Sequence, residues 1–349
     1  MSIKTVGEQS PKFAYKRPLI PPYQPSSNQL IMATYSKASF KSLNYNTFRP
    51  HYPPSFYRIL GDYLKSRGNP VPVKHALDLG CGTGVATYPL LNIAEYVDGL
   101  DLSPVMIKTA TDLKQERLKE LGIDDSTRIN FKAGGVESQL YDGENPIEEG
   151  PVDLITAAQC IHWFKDYDTF FSTAAKLLKP NGVLAYWYYV DPVITSFSGP
   201  SKVDKATGLK NAYDIYFKYV YNDPEYIGPY WENPGREIIK NFYVEVDKHI
   251  PESLYGNKKI NKLELQPNIS KEPNENEDLV LVRNAIKLKE LEGYLSTYSG
   301  FHSYKEATGD KKDFIGSYFA ELEQVNGWDR NETEIDLVWN TGYTFISKK

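Results

Sequence analysis

Between residues 55 and 64 the apolar side chains Phe56, Ile59, Leu60, Tyr63 and Leu64 recur at helical spacing behind Ser55, which predicts an amphipathic helix. Residues 73–79 form a short apolar run closed by glycines, the pattern of a buried strand. A helix is expected over 84–95 and a second strand over 97–101. Ser103 and Pro104 read as the cap and first turn of a helix running to about Leu121, before Gly122. Third and fourth strands follow at 128–133 and 152–158. Phe170, Phe171, Ala174, Leu177 and Leu178 share one face of a helix over 167–178, which Lys179-Pro-Asn-Gly182 ends. Residues 183–190 are apolar throughout, as in a strand covered on both faces.

Strands alternating with helices predict an α/β fold, a doubly wound and mostly parallel sheet with right-handed crossovers. Such a sheet binds its ligand beyond the carboxyl ends of the strands. After Val190 the alternation stops. Residues 191–333 are rich in Tyr, Pro, Asn and Lys and read as a helical insertion, with helices near 210–220 and 234–244. Residues 251–278 show little periodicity and read as a surface loop. The β-rich run 335–347 predicts an antiparallel terminal strand, with 279–286 as its neighbour. Residues 1–34, with five prolines from Pro11 to Pro25, read as a loose tail ahead of a single domain over 35–349.

Composition narrows the function classes. The chain of 349 residues is 41% hydrophobic and 24% charged, ordinary for a globular protein with a sizeable core. A net charge of -5 and the lack of a long basic run argue against nucleic acid as a partner. The longest apolar run is eight residues, against about 20 for a membrane-spanning helix. Cys81 and Cys160 stand outside any metal-ligand spacing. Two cysteines give no disulfide framework, so a reducing cytoplasmic compartment is expected, with no metal.

The chemistry concentrates in Asp78-Leu-Gly-Cys-Gly-Thr-Gly84, between a predicted strand and helix. Gly80, Gly82 and Gly84 let the backbone turn tightly and approach a ligand. The dinucleotide fingerprint would need glycine where Val85 stands, which disfavours a nicotinamide cofactor. Asp101 closes the next strand, about 20 residues on, where a carboxylate accepts ribose hydroxyls.

With Ala157-Ala-Gln-Cys-Ile-His-Trp-Phe164 and Lys179-Pro-Asn-Gly182, these motifs resemble a class I S-adenosylmethionine (SAM)-dependent methyltransferase. Arg49-Pro-His-Tyr52-Pro, Trp231-Glu-Asn-Pro-Gly-Arg236 and Gly293-Tyr-Leu-Ser-Thr-Tyr298-Ser are similar to the fungal trans-aconitate methyltransferase group. The resemblance implies that Asp78, Gly80, Cys81, Gly82 and Gly84 hold the methionine end of SAM, Asp101 the ribose, and Leu102 the adenine border. It implies further that Gly135, Val136 and Glu137 flank the adenine. Relatives carry an acid where Gly135 stands here, leaving Glu137 or backbone groups for the adenine amine. Arg49 and Tyr52 would close over the cofactor, and Gln159 would border it.

His162 and Trp163 follow the fourth strand at the pocket mouth. His162 reads as a base, a substrate donor or a structural group. Trp163 either faces the sulfonium or packs. Arg236 is the insertion's candidate for gripping a carboxylate, and Tyr298 stands beside it in that role. Of the tyrosines on the fifth strand, alternation sends Tyr186 and Tyr188 one way and Tyr189 the other; Tyr188 is taken as the candidate substrate contact. The expected reaction is methyl transfer to a small molecule, the carboxylate of a compact polyacid such as trans-aconitate. A different acceptor (lipid, protein or other small molecule) and a SAM-binding protein without turnover are the alternatives.

Overall fold

The structure, a computed structural model, describes residues 47–135, 141–142, 145–146, 150–267 and 272–349. The expected N-terminal tail, Val136 and Glu137 lie outside these residues.

Helix α1 (Pro54–Ser66) precedes β1 (Val73–Leu79). A 3₁₀ turn at Tyr88–Asn92 leads to β2 (Ala94–Asp101), α2 (Pro104–Asp112), α3 (Lys114–Glu120), β3 (Ile129–Ala133) and β4 (Val152–Ala158). Then come α4 (Tyr167–Leu177) and the long β5 (Leu178–Ser198). The sheet has eight strands among the described residues. Its first half runs β3-β2-β1-β4-β5, all parallel. The chain moves outward from β1 to β2 and β3, then returns to the other side of β1 with β4. The switch point therefore lies between β1 and β4, and a ligand crevice opens there.

The second half comes from the C-terminal region. After β5 follow α5 (Lys205–Phe217), α6 (Gly235–Lys240), α7 (Val244–Lys248), β6 (Tyr255–Leu263), β7 (Val282–Lys287), α8 (Glu290–Leu295), α9 (Ser299–Thr308) and α10 (Phe314–Asn326). The terminal strand β8 (Glu334–Lys348) pairs antiparallel with β5, β6 and β7.

Alternation along β5 builds two cores. Val183, Ala185, Trp187 and Tyr189 join the cluster under α1, while Leu184, Tyr186, Tyr188 and Val190 join the cluster under α4. On the first side Phe56 of α1 meets Trp187 at 5.0 Å and Tyr343 at 5.7 Å between ring centroids. Each such fully buried aromatic contributes about 1.5–3 kcal/mol.

Four sequence expectations need correction. The helix expected over 84–95 is turns and the Tyr88–Asn92 3₁₀ segment; Pro89 lacks an N–H and disfavours helical backbone at the residue before it. The single helix from Pro104 divides at Leu113 into α2 and α3. The 251–278 region contains β6, an edge strand. Its Lys258, Lys259 and Lys262 mimic a loop in composition, and charge of this kind discourages further strand pairing. The turn Lys179-Pro-Asn-Gly182 is an excursion within β5, where the register jumps from Val152–Leu178 to Leu154–Val183. Helix α10 was not anticipated, although Asp313 caps its N-terminus and Gly327 ends it with φ +69°.

Candidate cofactor and acceptor site

A cavity of about 530 Å³ opens at the carboxyl ends of β1, β2, β4 and β5. Its floor is the loop after β1. Burial hides Asp78 completely below that loop, where its carboxylate accepts hydrogen bonds from the Thr87 and Thr156 hydroxyls, each at 2.6 Å. Burial pushes this carboxyl up to about 6, the two threonines oppose the shift, and the nearby Asp101 adds to it. Asp78 therefore supports the loop from beneath; it does not line the cavity.

Asp101 ends β2 at the cavity wall. Its Oδ2 accepts from the Gly82 N–H at 2.9 Å and its Oδ1 from the Ser103 N–H at 2.8 Å. Burial raises its pKa, and those two N–H bonds hold the shift down. The loop is tied to the same strand by Cys81 N–H donating to the Leu100 carbonyl at 2.9 Å. Gly82 has φ +56°, and a Cβ there would meet no protein atom within 4 Å. Gly80 has φ +60°, and a Cβ would lie 2.5 Å from the Cys160 Cβ. One glycine keeps the cavity open; the other lets the loop lie against β4's continuation. Gly84 packs beneath, against the Tyr88 ring, and is not a lining residue. Cys81, Gly135 and Leu102 do line the cavity, and Leu102 is 77% exposed at its rim.

On the opposite wall Gln159 sits just past β4 with φ +57°. Its side-chain amide donates to the Tyr189 carbonyl at 2.8 Å and accepts from the Tyr189 N–H at 2.9 Å. Gln159 thus locks the ends of β4 and β5 together and fixes Tyr189 in the cavity wall. Tyr188 faces the other way, with its hydroxyl donating to the Phe242 carbonyl at 3.0 Å, and lies outside the cavity lining. The substrate contact expected of Tyr188 is therefore corrected: one step of alternation puts Tyr189 there instead.

His162 is buried, its Nδ1 2.7 Å from the Tyr243 hydroxyl. Burial, with the charge of Arg236 in addition, pushes its pKa down to about 3. The ring is neutral throughout the physiological range. Trp163 packs beside it, ring centroids 4.8 Å apart, and against Gly235 at the start of α6.

Two guanidinium groups complete the wall. Arg49 reaches in ahead of α1; it donates to the Tyr189 hydroxyl at 3.3 Å and to the Thr297 carbonyl at 3.0 Å. Tyr52 lies beside it, edge-on to Trp187 at 5.7 Å. Arg236 comes from α6, lies 4.3 Å above the Trp231 ring and donates to Asp191 Oδ1 at 2.7 Å. Tyr298, just before α9, lines the cavity and its hydroxyl is 2.8 Å from that of Tyr216. Asp191 and Tyr216 had no motif to mark them, and Tyr294 stands inside the Gly293–Ser299 motif without being singled out there; their common signal is an acid and tyrosines flanking the fifth strand and the insertion helices.

Comparisons with known proteins fall on the same region. A family profile described as a methyltransferase domain matches residues 77–184, which contain the glycine loop, Asp101 and the strands around them. The chain is 25% identical to the Saccharomyces cerevisiae protein named "Probable S-adenosylmethionine-dependent methyltransferase CRG1", over 90% of this chain and 98% of that one. It is 32% identical to the ubiquinone biosynthesis O-methyltransferase of Caulobacter vibrioides, over 31% of this chain and 38% of that protein. In fold it resembles a solved structure titled "The Structure of a Putative Type II Methyltransferase from Anaeromyxobacter dehalogenans", with a TM-score of 0.55 and 21% identity over 85% of this chain and 97% of that one. Among the described residues no helix is long and apolar enough to cross a membrane. Strand order, glycine loop and family match agree: the chain is a class I SAM-dependent methyltransferase.

Proposed function

We propose that the enzyme methylates a carboxylate of a compact polyacid, of the size and charge of trans-aconitate, to a methyl ester. The observation that carries this reading is the presence of two guanidinium groups, Arg49 and Arg236, on the wall of the cavity that the glycine loop floors. Guanidinium pairs with carboxylate through parallel N–H donors, and in a buried wall that pairing is strong.

The site fits the cofactor. Asp101 spends one lone pair of each oxygen on the Gly82 and Ser103 N–H groups and keeps others for a vicinal diol. The open space before Gly82 admits the amino-acid end, and the exposed Leu102 side chain offers an apolar surface to the adenine. Bound SAM supplies an electrophilic methyl on a positively charged sulfur. Arg49 and Tyr52 cover the cavity from the N-terminal side, and the 191–333 insertion supplies Trp231, Arg236, Tyr294 and Tyr298 as the acceptor-facing lid.

The state of His162 supports the same acceptor class. A general base works best with a pKa near the working pH, and that of His162 is pushed to about 3. A carboxylate needs no such base, because it is ionised before it arrives. What the protein contributes is alignment and water exclusion, and alignment can supply up to about 7–11 kcal/mol in ideal cases.

A panel of acceptors with methyl-labelled SAM tests this reading: trans-aconitate and other di- and tricarboxylates, catechols, phospholipid amines and a protein extract. Base-labile label on carboxylates is the expected result. Label confined to phenols, amines or protein would overturn the acceptor while leaving the methyltransferase intact.

A further inference from the structure

Asp191 lies just beyond Val190 in β5, is only 5% exposed and stands outside the cavity lining. One of its oxygens, Oδ1, accepts three hydrogen bonds, from Arg236 Nη2, the Tyr216 hydroxyl and the Tyr221 hydroxyl, each at 2.7 Å. Those donors come from α6, from α5 and from the turn after it. Arg236 is further confined between rings, 4.3 Å from the Trp231 centroid and 5.1 Å from that of Tyr221.

Two consequences follow from donor arithmetic. The Arg236 guanidinium is not saturated by the protein: its Nε–H is buried without an acceptor. An ion pair kept for stability alone would be expected to satisfy that donor, since a buried donor without an acceptor is costly. The second consequence concerns Tyr298. A phenol has one hydrogen. Tyr216 gives its hydrogen to Asp191, so in the 2.8 Å contact between the two hydroxyls Tyr298 must be the donor. The Tyr298 oxygen then meets the cavity as an acceptor only.

We infer that Asp191 is a positioning and specificity residue: it holds Arg236 as the cavity's carboxylate anchor and, through Tyr216, sets the Tyr298 hydroxyl to accept. A carboxylate is thereby directed to Arg236 and away from Tyr298, where two oxygen lone-pair sets would repel. The part of this inference that concerns the acceptor rests on the carboxylate reading; the part that concerns Arg236 does not.

The test pairs Asp191→Asn with Arg236→Lys in the full chain. With trans-aconitate as the probe acceptor, Asp191→Asn is expected to raise KM at least tenfold while kcat changes less than about threefold and S-adenosylhomocysteine affinity less than twofold. The double variant should lose no more than Arg236→Lys alone, since both act through one guanidinium. Independently of any acceptor, the Arg236 Nε–H signal in nitrogen-15 NMR, assigned by its loss in Arg236→Lys, should exchange at least tenfold faster in Asp191→Asn. Tyr221→Phe, which removes one donor from Asp191, should shift the same signal in the same direction by less, and serves if the asparagine variant does not fold. A wild-type enzyme inert to carboxylates would end the acceptor part and leave the NMR result to decide the positioning. Unchanged Nε–H exchange in Asp191→Asn and Tyr221→Phe, or equal losses in KM and kcat, would overturn the role of Asp191.

Discussion

At the scale of single residues, the same burial acts in opposite directions on an acid and a base. His162, with an ordinary value of 6.5, is held near 3 by burial and by Arg236. The folded value lies below the unfolded one, so its stabilisation is complete above pH 6.5 and is lost as pH falls from there toward 3. At the limit this amounts to on the order of 5 kcal/mol. Asp78 behaves oppositely. Its folded value of about 6 lies above 3.8, so the fold gains stability as pH falls through that window. Replacing His162 by asparagine should therefore flatten the acid arm of the stability curve between pH 6.5 and 4, as read by urea denaturation at a series of pH values. The same variant should keep kcat within about tenfold, against the 10²–10⁴-fold loss of a general base. An unchanged acid arm, or a kcat loss of a thousandfold, would contradict the neutral-imidazole reading.

At the scale of elements, the glycine loop separates two demands. A side chain at Gly82 would point into open cavity, whereas one at Gly80 would strike Cys160. Both carry positive φ, so alanine at either costs about 1–2 kcal/mol of backbone strain. Gly80→Ala adds overpacking of about 1–3 kcal/mol. Thermal melting should accordingly fall a few degrees for Gly82→Ala and clearly further for Gly80→Ala. Cofactor affinity should fall more than tenfold in Gly82→Ala while the fold persists. The reverse ranking of melting temperatures would refute this division of labour.

The loop was legible because strand, glycines and acid stand together within a few dozen residues, so local pattern suffices. The run 183–190 was legible as a strand for the same reason, and its alternation was read correctly as two sets. Which tyrosine reached the cavity was not legible, because that depends on how α1 and α4 pack on opposite faces of the sheet. Tyr188 and Tyr189 are equivalent until that packing exists. The edge strand β6 escaped because lysines protect an edge and also populate loops.

At the scale of the whole molecule, the first half of the chain supplies the glycine-loop floor of the cavity with Arg49 and Tyr189 of its wall, and the 191–333 region supplies Trp231, Arg236, Tyr294 and Tyr298. Asp191, Tyr216, Trp231, Arg236 and Tyr298 span more than a hundred positions in sequence yet form one hydrogen-bonded and stacked unit. Contacts of that range leave no periodicity to read, so Arg236 and Tyr298 were legible only as motif residues, and their joining through Asp191 and Tyr216 became visible only in the folded chain. The floor and the wall together make one claim: that SAM lies on the 80–84 loop with its ribose on Asp101, beside an anion-holding wall.

Calorimetric titration of S-adenosylhomocysteine into the wild-type protein and Asp101→Asn tests that claim most directly. A single site per chain is predicted for the wild type, weakened about 10- to 100-fold in the variant by loss of charge-assisted bonds to the ribose. No heat of binding to the wild type, or equal affinity in the two proteins, would contradict it.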